Sequence, residues 1–323
     1  MMGNVFKFVL VGTGNIANSY VTAIEKMDSI EIVGVVSRSG RKPESLKSKN
    51  VKVASSLKDM KTEFDAVLIA TPNGAHHIAA IEAARMKKHV LCEKVLDISL
   101  DYCDAIIAAC EENNVKLGIT YQRRFSPVNK QIKAALEAKV FGNIFSVELE
   151  TKFFRDQAYY DSASYRGDKA LDGGGPLMQQ ASHNVDLMIW FFGMPATLAS
   201  VMGTFMHDIE SEDHGAVIMR FNSGMVGTLI ASTCCKPGFP AKITIRSEKG
   251  VLVLSGDEIV EMEMDGLSLE SIACYLDNDD APVGNPAVAD FVNAVQKDLS
   301  PGITGEDAKR SVELIRKIYD SSI

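Results

Sequence analysis

Short apolar runs alternate with longer amphipathic segments over the first 120 residues. Each run has the length of a buried strand, and each longer segment has apolar positions at helical spacing. This pattern predicts strands at Phe6–Val11, Ile30–Val36, Val51–Ala54, Ala66–Ala70, His89–Cys92 and Val115–Ile119, and helices at Ile16–Lys26, Ser56–Lys61, Ala75–Met86 and Leu100–Asn113. Because strands and helices alternate with short connections, we expect a parallel, doubly wound sheet with helices on both faces.

The pattern changes after Tyr121. Residues 144–154 alternate apolar and polar side chains, which is typical of a half-buried antiparallel strand. Further strands are predicted at Leu198–Phe205, Gly215–Phe221, Met225–Thr233, Ala241–Arg246 and Val251–Leu254, and helices at Pro127–Val140, Pro176–Phe192, Pro286–Lys297 and Thr304–Ser321. The expected fold class is therefore α/β. We expect a parallel-sheet domain in residues 1–121 and an α+β domain on an open, mainly antiparallel sheet in residues 122–323. The C-terminal helices are expected to pack back toward the first domain.

Composition excludes several classes of protein. Among 323 residues, 34 are Lys or Arg and 42 are Asp or Glu, so the net charge is −8. This balance disfavours nucleic acid and anionic membranes as partners, because binding to both depends on basic side chains. No apolar stretch approaches the roughly 20 residues of a membrane span, and the first apolar run is too short for a signal peptide.

The cysteines and histidines predict neither disulfides nor a metal site. The six cysteines form no C-x-x-C pair, and the six histidines show no ligand spacing. Reduced, mostly buried thiols are therefore expected, as in a cytoplasmic protein.

A glycine-rich turn follows the first predicted strand. The segment Gly12-Thr13-Gly14-Asn15-Ile16-Ala17 has the G-x-G-x-x-A spacing of the Rossmann fingerprint. Gly12 allows the tight turn, Gly14 lets the backbone approach a pyrophosphate, and Ala17 lets the helix pack on the strand. The motif predicts a dinucleotide site, with Gly12, Thr13, Gly14, Asn15 and Ile16 in contact with the cofactor.

The end of the second strand indicates which dinucleotide is bound. An NAD site usually has Asp or Glu there, but Val36 is followed by Ser37-Arg38-Ser39-Gly40-Arg41-Lys42. A hydroxyl and cations suit the 2′-phosphate of NADP. We therefore expect Ser37, Arg38 and Lys42 to bind NADP in preference to NAD, the alternative being a solvated basic loop.

Four further segments carry a family resemblance. They are Ala70-Thr71-Pro72-Asn73 with His76, Cys92-Glu93-Lys94, Gln122-Arg123-Arg124-Phe125, and Gly173-Gly174-Gly175 through His183 to Asp186. In order and spacing the chain resembles the Gfo/Idh/MocA oxidoreductases, relatives of glucose–fructose oxidoreductase and inositol dehydrogenase. The resemblance implies hydride transfer between a nicotinamide and a secondary hydroxyl or keto group. The stretch from Tyr159 to Gly175 resembles members that act on sugars or sugar nucleotides.

Two residues are expected to be catalytic. The resemblance implies that Lys94 contacts the reacting hydroxyl, although Val95 replaces the family's usual proline, which leaves the turn geometry open. An ammonium there stabilises a developing alkoxide. His183 lies on a predicted helix with Gln179 one turn before it and Asp186 one turn after it, and its imidazole can accept the alcohol proton. Many family members have Asp where this chain has Gln179, an amide that can hydrogen-bond a substrate hydroxyl.

The remaining candidates surround these two. We expect further cofactor contacts from Thr71, Pro72, Asn73, His76, Glu93, Lys94, Gln122 and Arg166, and substrate contacts from Lys94, Tyr121, Arg123, Arg155, Tyr160, Gln179 and His183. For each arginine, an internal salt bridge is an equal alternative. His77 is expected to be structural, and the polar segment 155–175 is expected to cover the sugar.

The expected protein is thus an NAD(P)-dependent oxidoreductase acting on a sugar, sugar derivative or sugar nucleotide, with no metal. Alternatives are a trans-dihydrodiol or deoxysugar keto-reductase on the same scaffold, and a non-catalytic regulator that senses cofactor. Because helices are too few to cover both faces of the second sheet, a homodimer or homotetramer through that sheet is also expected.

Overall fold

A computed structural model describes residues 5–273 and 284–323. Its strands are β1 (Phe6–Val11), β2 (Ile30–Val36), β3 (Lys52–Ala54), β4 (Ala66–Ile69), β5 (His89–Cys92), β6 (Leu117–Ile119), β7 (Ile144–Lys152), β8 (Thr197–Gly203), β9 (His214–Arg220), β10 (Val226–Ser232), β11 (Lys242–Ser247), β12 (Gly250–Ser255) and β13 (Glu258–Met264). Its α-helices are α1 (Asn15–Ile24), α2 (His76–Arg85), α3 (Leu100–Glu112), α4 (Pro127–Glu137), α5 (Gln157–Asp161), α6 (Pro176–Gln179), α7 (Ser182–Phe192), α8 (Leu269–Ala273), α9 (Pro286–Gln296) and α10 (Gly305–Asp320). Over these residues, no helix has both the length and the apolar character that a membrane span requires.

The first sheet has six parallel strands in the order β3-β2-β1-β4-β5-β6. This order is that of a doubly wound dinucleotide-binding sheet, so the predicted parallel fold is confirmed. Strands β1, β4, β5 and β6 are largely buried, whereas β3 at the sheet edge is mostly exposed. Helix α9 contributes to the cover of the buried strands. Phe291 of α9 packs on Phe8 of β1, with ring centroids 6.1 Å apart, and it belongs to the same buried cluster as Leu10 and Leu68.

The second sheet has seven strands in the order β13-β12-β11-β7-β10-β9-β8. All neighbouring pairs are antiparallel except β7 and β10, which run parallel. The prediction of a mainly antiparallel sheet is confirmed, and the strand predicted at 144–154 pairs in both senses. Along β9 every second side chain is buried, including Val217 and Met219, while Ile218 between them is 56% exposed.

The chain divides into two compact units. One comprises Met1–Gln122 with Ala281–Val312, and the other comprises Arg123–Asp280 with Glu313–Ile323. Helix α10 therefore begins in the first unit and ends in the second.

The helix predicted at Ser56–Lys61 is wrong. The structure has bends and a turn there. The hydroxyls of Ser55 and Ser56 donate to Oδ2 of Asp59 at 3.0 and 2.7 Å, and the amide of Asp59 donates back to Ser56 Oγ at 3.3 Å. Ser and Asp side chains that bind nearby backbone compete with helix formation, and here they close a local turn.

Other elements also differ from the predictions, and the short helices α5 and α8 were not predicted. Strand β13 follows the predicted β-segments at the sheet edge, and its glutamate-rich sequence carries no clear apolar face. The helix predicted at Pro176–Phe192 is two helices, α6 and α7. Between them the carbonyl of Pro176 accepts from the amides of both Gln180 and Ala181, at 3.1 and 2.8 Å. This widened turn breaks the helical repeat, as such turns often do near functional sites.

Candidate functional site

The glycine turn joins β1 to α1 in the first unit. Gly12 has φ +111°, and a Cβ added there would overlap the carbonyl oxygen of Ala70, so only glycine fits. At Gly14, by contrast, an added Cβ would meet no heavy atom within 4 Å. The open space lies beside the first turn of α1, where free backbone N–H groups favour a phosphate. The tight packing at Gly12 and the open space at Gly14 are therefore both what a dinucleotide-binding turn requires.

The loop after β2 presents a hydroxyl and an exposed arginine. Ser37 is 7% exposed and its Oγ lies 3.2 Å from Ser39 Oγ, whereas Arg38 is exposed. The ammonium of Lys42, a predicted cofactor ligand, instead donates to the carbonyl of Lys49 at 2.7 Å. Lys42 thus secures the loop, while Arg38 is the cation nearest the strand end.

The segment after β4 combines a buried hydroxyl with a buried histidine. Oγ1 of Thr71 is buried and has no hydrogen-bond partner among the described residues, so a polar ligand would satisfy it. His76 differs from its prediction as a cofactor contact. It is fully buried, and its Nδ1 and Nε2 lie 2.8 and 3.0 Å from the carbonyl oxygens of Val95 and Thr71. His76 therefore holds two loops together.

Asn73 and His77 lie in the same segment. Asn73 is buried and follows Pro72 at the start of a single 3₁₀ turn. His77 lies 2.9 Å from the buried carboxylate of Asp97 and stacks on Tyr102, which agrees with a structural role.

Glu93 and Lys94 follow β5 at the carboxyl end of the first sheet. The hydroxyl of Tyr20 donates to Oε1 of Glu93, and the backbone amide of Lys94 donates to Oε2 at 3.0 Å. Burial, followed by the Glu93 charge, raises the pKa of Tyr20 well above its ordinary value. Tyr20 thus remains a phenol that donates to the carboxylate. Both oxygens of Glu93 are fixed, which positions the backbone that carries Lys94. The Lys94–Val95 peptide bond is cis.

Tyr121 and Gln122 end the continuous part of the first unit. Tyr121 is fully buried, whereas Gln122 is exposed and begins a single 3₁₀ turn, Gln122–Phe125.

Gln179 and His183 lie in the second unit. Helix α6 ends at Gln179 and α7 begins at Ser182. The prediction that Gln179 and His183 lie one turn apart on a single helix is therefore wrong. Nε2 of Gln179 donates to the carbonyl of Asp172 at 2.6 Å, which ties the helix end to the glycine turn. His183 is partly exposed, whereas every other residue from 181 to 189 is buried. A partly exposed imidazole in an otherwise buried helix is suited to proton transfer with a ligand.

Asp186, one turn after His183, is engaged elsewhere. Its carboxylate accepts two hydrogen bonds from Arg124, at 2.8 Å from Nε and 2.6 Å from Nη2. Arg123 is also internal: it donates to Asn184 Oδ1, the Gly256 carbonyl and Asp257, the last at 2.7 Å. These contacts fit the salt-bridge alternative for Arg123 and make both arginines anchors of α7.

The segment 155–175 contains the other predicted contacts. The guanidinium carbons of Arg155 and Arg166 lie 5.1 and 4.0 Å from the centre of the Tyr159 ring. Tyr160 is buried, and its hydroxyl lies 2.8 Å from Oγ1 of Thr233. Burial raises the pKa of Tyr160 to about 12. Tyr160 is therefore a neutral phenol whose hydroxyl links the segment to Thr233.

The glycine turn before α6 is packed against two side chains that the sequence did not identify. Glu212 is 7% exposed and accepts from the amides of Gly175 and Leu177 at 3.0 and 3.2 Å. Tyr319 donates to the same carboxylate at 3.0 Å. Side chains added at Gly174 and Gly175 would overlap Tyr319 and the Glu212 backbone. Gly174 and Gly175 are therefore required by packing.

Comparison with known proteins decides the family. Residues 6–121 match the oxidoreductase family with an NAD-binding Rossmann fold, and residues 129–253 match the GFO/IDH/MocA C-terminal domain. The chain belongs to the Gfo/Idh/MocA oxidoreductase family. It is a nicotinamide-dependent oxidoreductase of the kind that acts on CH–OH groups.

The relatives include enzymes of sugars and cyclitols. The chain is 30% identical to the WlbA dehydrogenase from Bordetella pertussis, solved in complex with NADH and UDP-GlcNAcA, with a TM-score of 0.88 over 99% of this chain and 96% of that one. It is 22% identical to inositol 2-dehydrogenase of Rhizobium meliloti, covering 95% and 94% of the two chains. It is 24% identical to 1,5-anhydro-D-fructose reductase of Ensifer adhaerens, covering 92% and 90%.

Proposed function

We propose that this protein transfers hydride between a nicotinamide dinucleotide and a secondary hydroxyl of a sugar nucleotide. Its similarity to WlbA dehydrogenase over nearly the whole chain carries the proposal, because that enzyme was solved with NADH and a UDP-sugar. In this proposal residues 1–121 hold the cofactor and residues 122–323 supply the substrate contacts.

Two side chains handle the proton. The cofactor, when bound, accepts or gives the hydride. The Lys94 ammonium donates a hydrogen bond to the reacting oxygen and stabilises negative charge as it develops. His183 Nε2 or Nδ1 accepts the hydroxyl proton in the oxidation direction. Gln179, whose Nε2 donates to the Asp172 carbonyl, is an amide and cannot share a proton with His183 as an aspartate could.

The reaction is tested by following nicotinamide absorbance with UDP-GlcNAcA, other UDP-sugars, free sugars and inositol. We expect turnover with at least one sugar nucleotide. His183→Ala and Lys94→Ala should each lower kcat by about 10²–10⁴-fold. Binding of cofactor without turnover of any compound would favour the regulator instead, and turnover only with free polyols would reject the sugar-nucleotide assignment.

We further propose that NADP is preferred to NAD. The support is that Ser37-Arg38-Ser39-Gly40-Arg41-Lys42, which follows β2, contains no carboxylate, and that the exposed Arg38 lies next to the buried Ser37. Arg38→Ala should weaken NADPH binding about 10- to 100-fold, as expected for loss of a charged hydrogen-bond pair, and should change NADH binding little. Lys47→Ala, which removes an exposed lysine paired with Glu44, is the control. Equal affinity of the wild-type protein for NADH and NADPH would refute the preference.

An oligomer through the second sheet is also proposed. Its outer face exposes large apolar side chains on three adjacent strands: Val201, Ile218 and Val226 are 56%, 56% and 43% exposed. Adjacent exposed apolar positions of this kind are typical of subunit interfaces.

We also propose that the enzyme is cytoplasmic. The support is that the five described cysteines are free thiols, as expected in a reducing compartment; Cys274 lies outside the described residues.

A further inference from the structure

In the part of the chain that the structure describes, no carboxylate pairs with either of two arginines of the second unit. Arg155 donates from Nη1 to the carbonyl of Phe154 at 2.9 Å, and Arg166 has a buried Nε without a hydrogen-bond partner. Within the described residues neither forms an ion pair. The other arginines that anchor this unit, Arg123 and Arg124, each bind an aspartate. The contrast indicates that the guanidinium groups of Arg155 and Arg166 are available to bind an anion.

Both guanidinium groups are held against one aromatic ring. Their carbons lie 5.1 Å and 4.0 Å from the centre of the Tyr159 ring. A guanidinium is attracted to the face of an aromatic ring, so Tyr159 orients each group while leaving its N–H donors to other partners. We call Arg155, Tyr159 and Arg166 the Tyr159 cluster.

The backbone under the cluster is also fixed. Asp156 Oδ1 accepts from the amide of Tyr159 at 3.0 Å and caps the helical turn that carries the ring. Nε2 of His207 lies 2.9 Å from the carbonyl oxygen of Arg155, and Nδ1 of the same ring lies 2.9 Å from the buried carboxylate of Asp213. The two cations are therefore presented by a preorganised segment, which lowers the entropic cost of binding.

Like charges on one ring repel each other, and partial burial increases that repulsion. An anion bound between or across them would remove it and would satisfy the orphan Nε of Arg166. Guanidinium groups bind phosphate oxygens through two parallel N–H donors, and two such groups match the two charges of a diphosphate.

We propose that the Tyr159 cluster is the subsite for the diphosphate of the nucleotide sugar. The inference rests on the proposed function, since it names the part of the substrate that the second unit recognises. A diphosphate is favoured over a single sugar carboxylate because two unpaired cations are present, and one carboxylate would neutralise only one of them.

The test measures binding of UDP directly, by calorimetry on the full chain saturated with cofactor. Arg155→Gln and Arg166→Gln should each weaken UDP binding about 10- to 100-fold, and the double variant should weaken it further. Lys169→Gln is the matched control, because Lys169 is an exposed cation of the same segment that forms no ion pair. UMP should bind more weakly than UDP, and uridine should lose most of the affinity. Circular dichroism of each variant confirms that it is folded.

The outcomes separate this subsite from its rivals. Unchanged UDP affinity in both arginine variants overturns the proposal. Weakened NADPH binding with unchanged UDP binding would assign the cluster to the cofactor, and a raised KM for free glucuronate with unchanged UDP binding would assign it to a sugar carboxylate; both overturn it.

The same variants distinguish failure of the subsite from failure of the proposed function. If UDP binding depends on both arginines but no sugar nucleotide is turned over, the subsite stands and the proposed reaction falls. If a UDP-sugar is turned over and its KM is unchanged in both variants, the reaction stands and the subsite falls.

Discussion

The Arg124–Asp186 pair allows a quantitative test of what holds α7 in place. The side chains are 7% and 1% exposed, and two hydrogen bonds of 2.8 and 2.6 Å join them. Asp186→Asn keeps the shape but removes the charge, leaving a buried guanidinium without its counterion. Breaking a buried ion pair from one side costs about 3–5 kcal/mol. We expect a loss of this size in the free energy of unfolding of the second unit.

The only tryptophan of the chain provides a local probe. Trp190 lies on α7, and its ring centre is 5.7 Å from the guanidinium carbon of Arg124. Its fluorescence in urea should therefore report unfolding around the pair. With an m-value of about 2–3 kcal/mol/M, the loss corresponds to a fall of about 1–2.5 M in the unfolding midpoint.

A paired replacement separates charge burial from packing. Arg124→Met with Asp186→Leu removes both charges, and such replacements of buried ion pairs are often neutral or stabilising by about 1–4 kcal/mol. The double variant should therefore unfold at a higher urea concentration than Asp186→Asn alone. A midpoint shift below about 0.3 M for Asp186→Asn would mean that the pair is already solvated, and the reasoning from burial would be refuted.

Three further outcomes follow from single residues. Gly12→Ala should destabilise the first unit by about 3 kcal/mol or more, because φ strain adds to backbone overlap. Gly14→Ala should leave the melting temperature unchanged and weaken cofactor binding. Equal effects of the two substitutions on stability and on cofactor affinity would contradict the assigned roles. Burial lowers the pKa of His89, whose Nδ1 accepts from the Lys116 amide, so its stabilising contribution is complete above about pH 6.5 and is lost as pH falls from there toward the folded-state pKa. Urea unfolding of His89→Gln should accordingly show a weaker acid destabilisation than wild type, and an identical pH profile would remove His89 as the cause. Ile218→Glu should convert the expected dimer or tetramer to a monomer by sedimentation at micromolar concentration, and a monomeric wild type would refute the interface.

Much of the fold was predictable because its signals are local. The strands of the first sheet are apolar runs with at most one charged residue each, and the glycine turn lies between a strand and a helix as its spacing requires. The error at 56–61 arose where the Ser56 hydroxyl donates to the Asp59 carboxylate and accepts from the Asp59 amide, which a count of apolar positions does not register. Similarly, the apolar pattern does not show that the Pro176 carbonyl accepts from both Gln180 and Ala181, so that α6 ends before His183.

The site was less predictable because its contacts join distant residues. His76 was expected beside the cofactor, but its two nitrogens face carbonyls that a linear motif does not show. Tyr20 reaches Glu93 across 73 positions, and Tyr319 reaches Glu212 across 107. No signal in the sequence pairs these residues. The sequence likewise does not show that Arg123 and Arg124 each bind an aspartate while Arg155 and Arg166 form no ion pair with the described residues.

The division of α10 between the two units has a consequence for synthesis on the ribosome. Val288 and Phe291, which complete the core beneath the first sheet, and Tyr319, which supports the glycine turn of the second unit, all come after the strands of both sheets in the sequence. Neither unit can bury its full apolar surface until these residues have been translated. A nascent or truncated chain that stops before them should therefore expose β-strands to aggregation and chaperone binding.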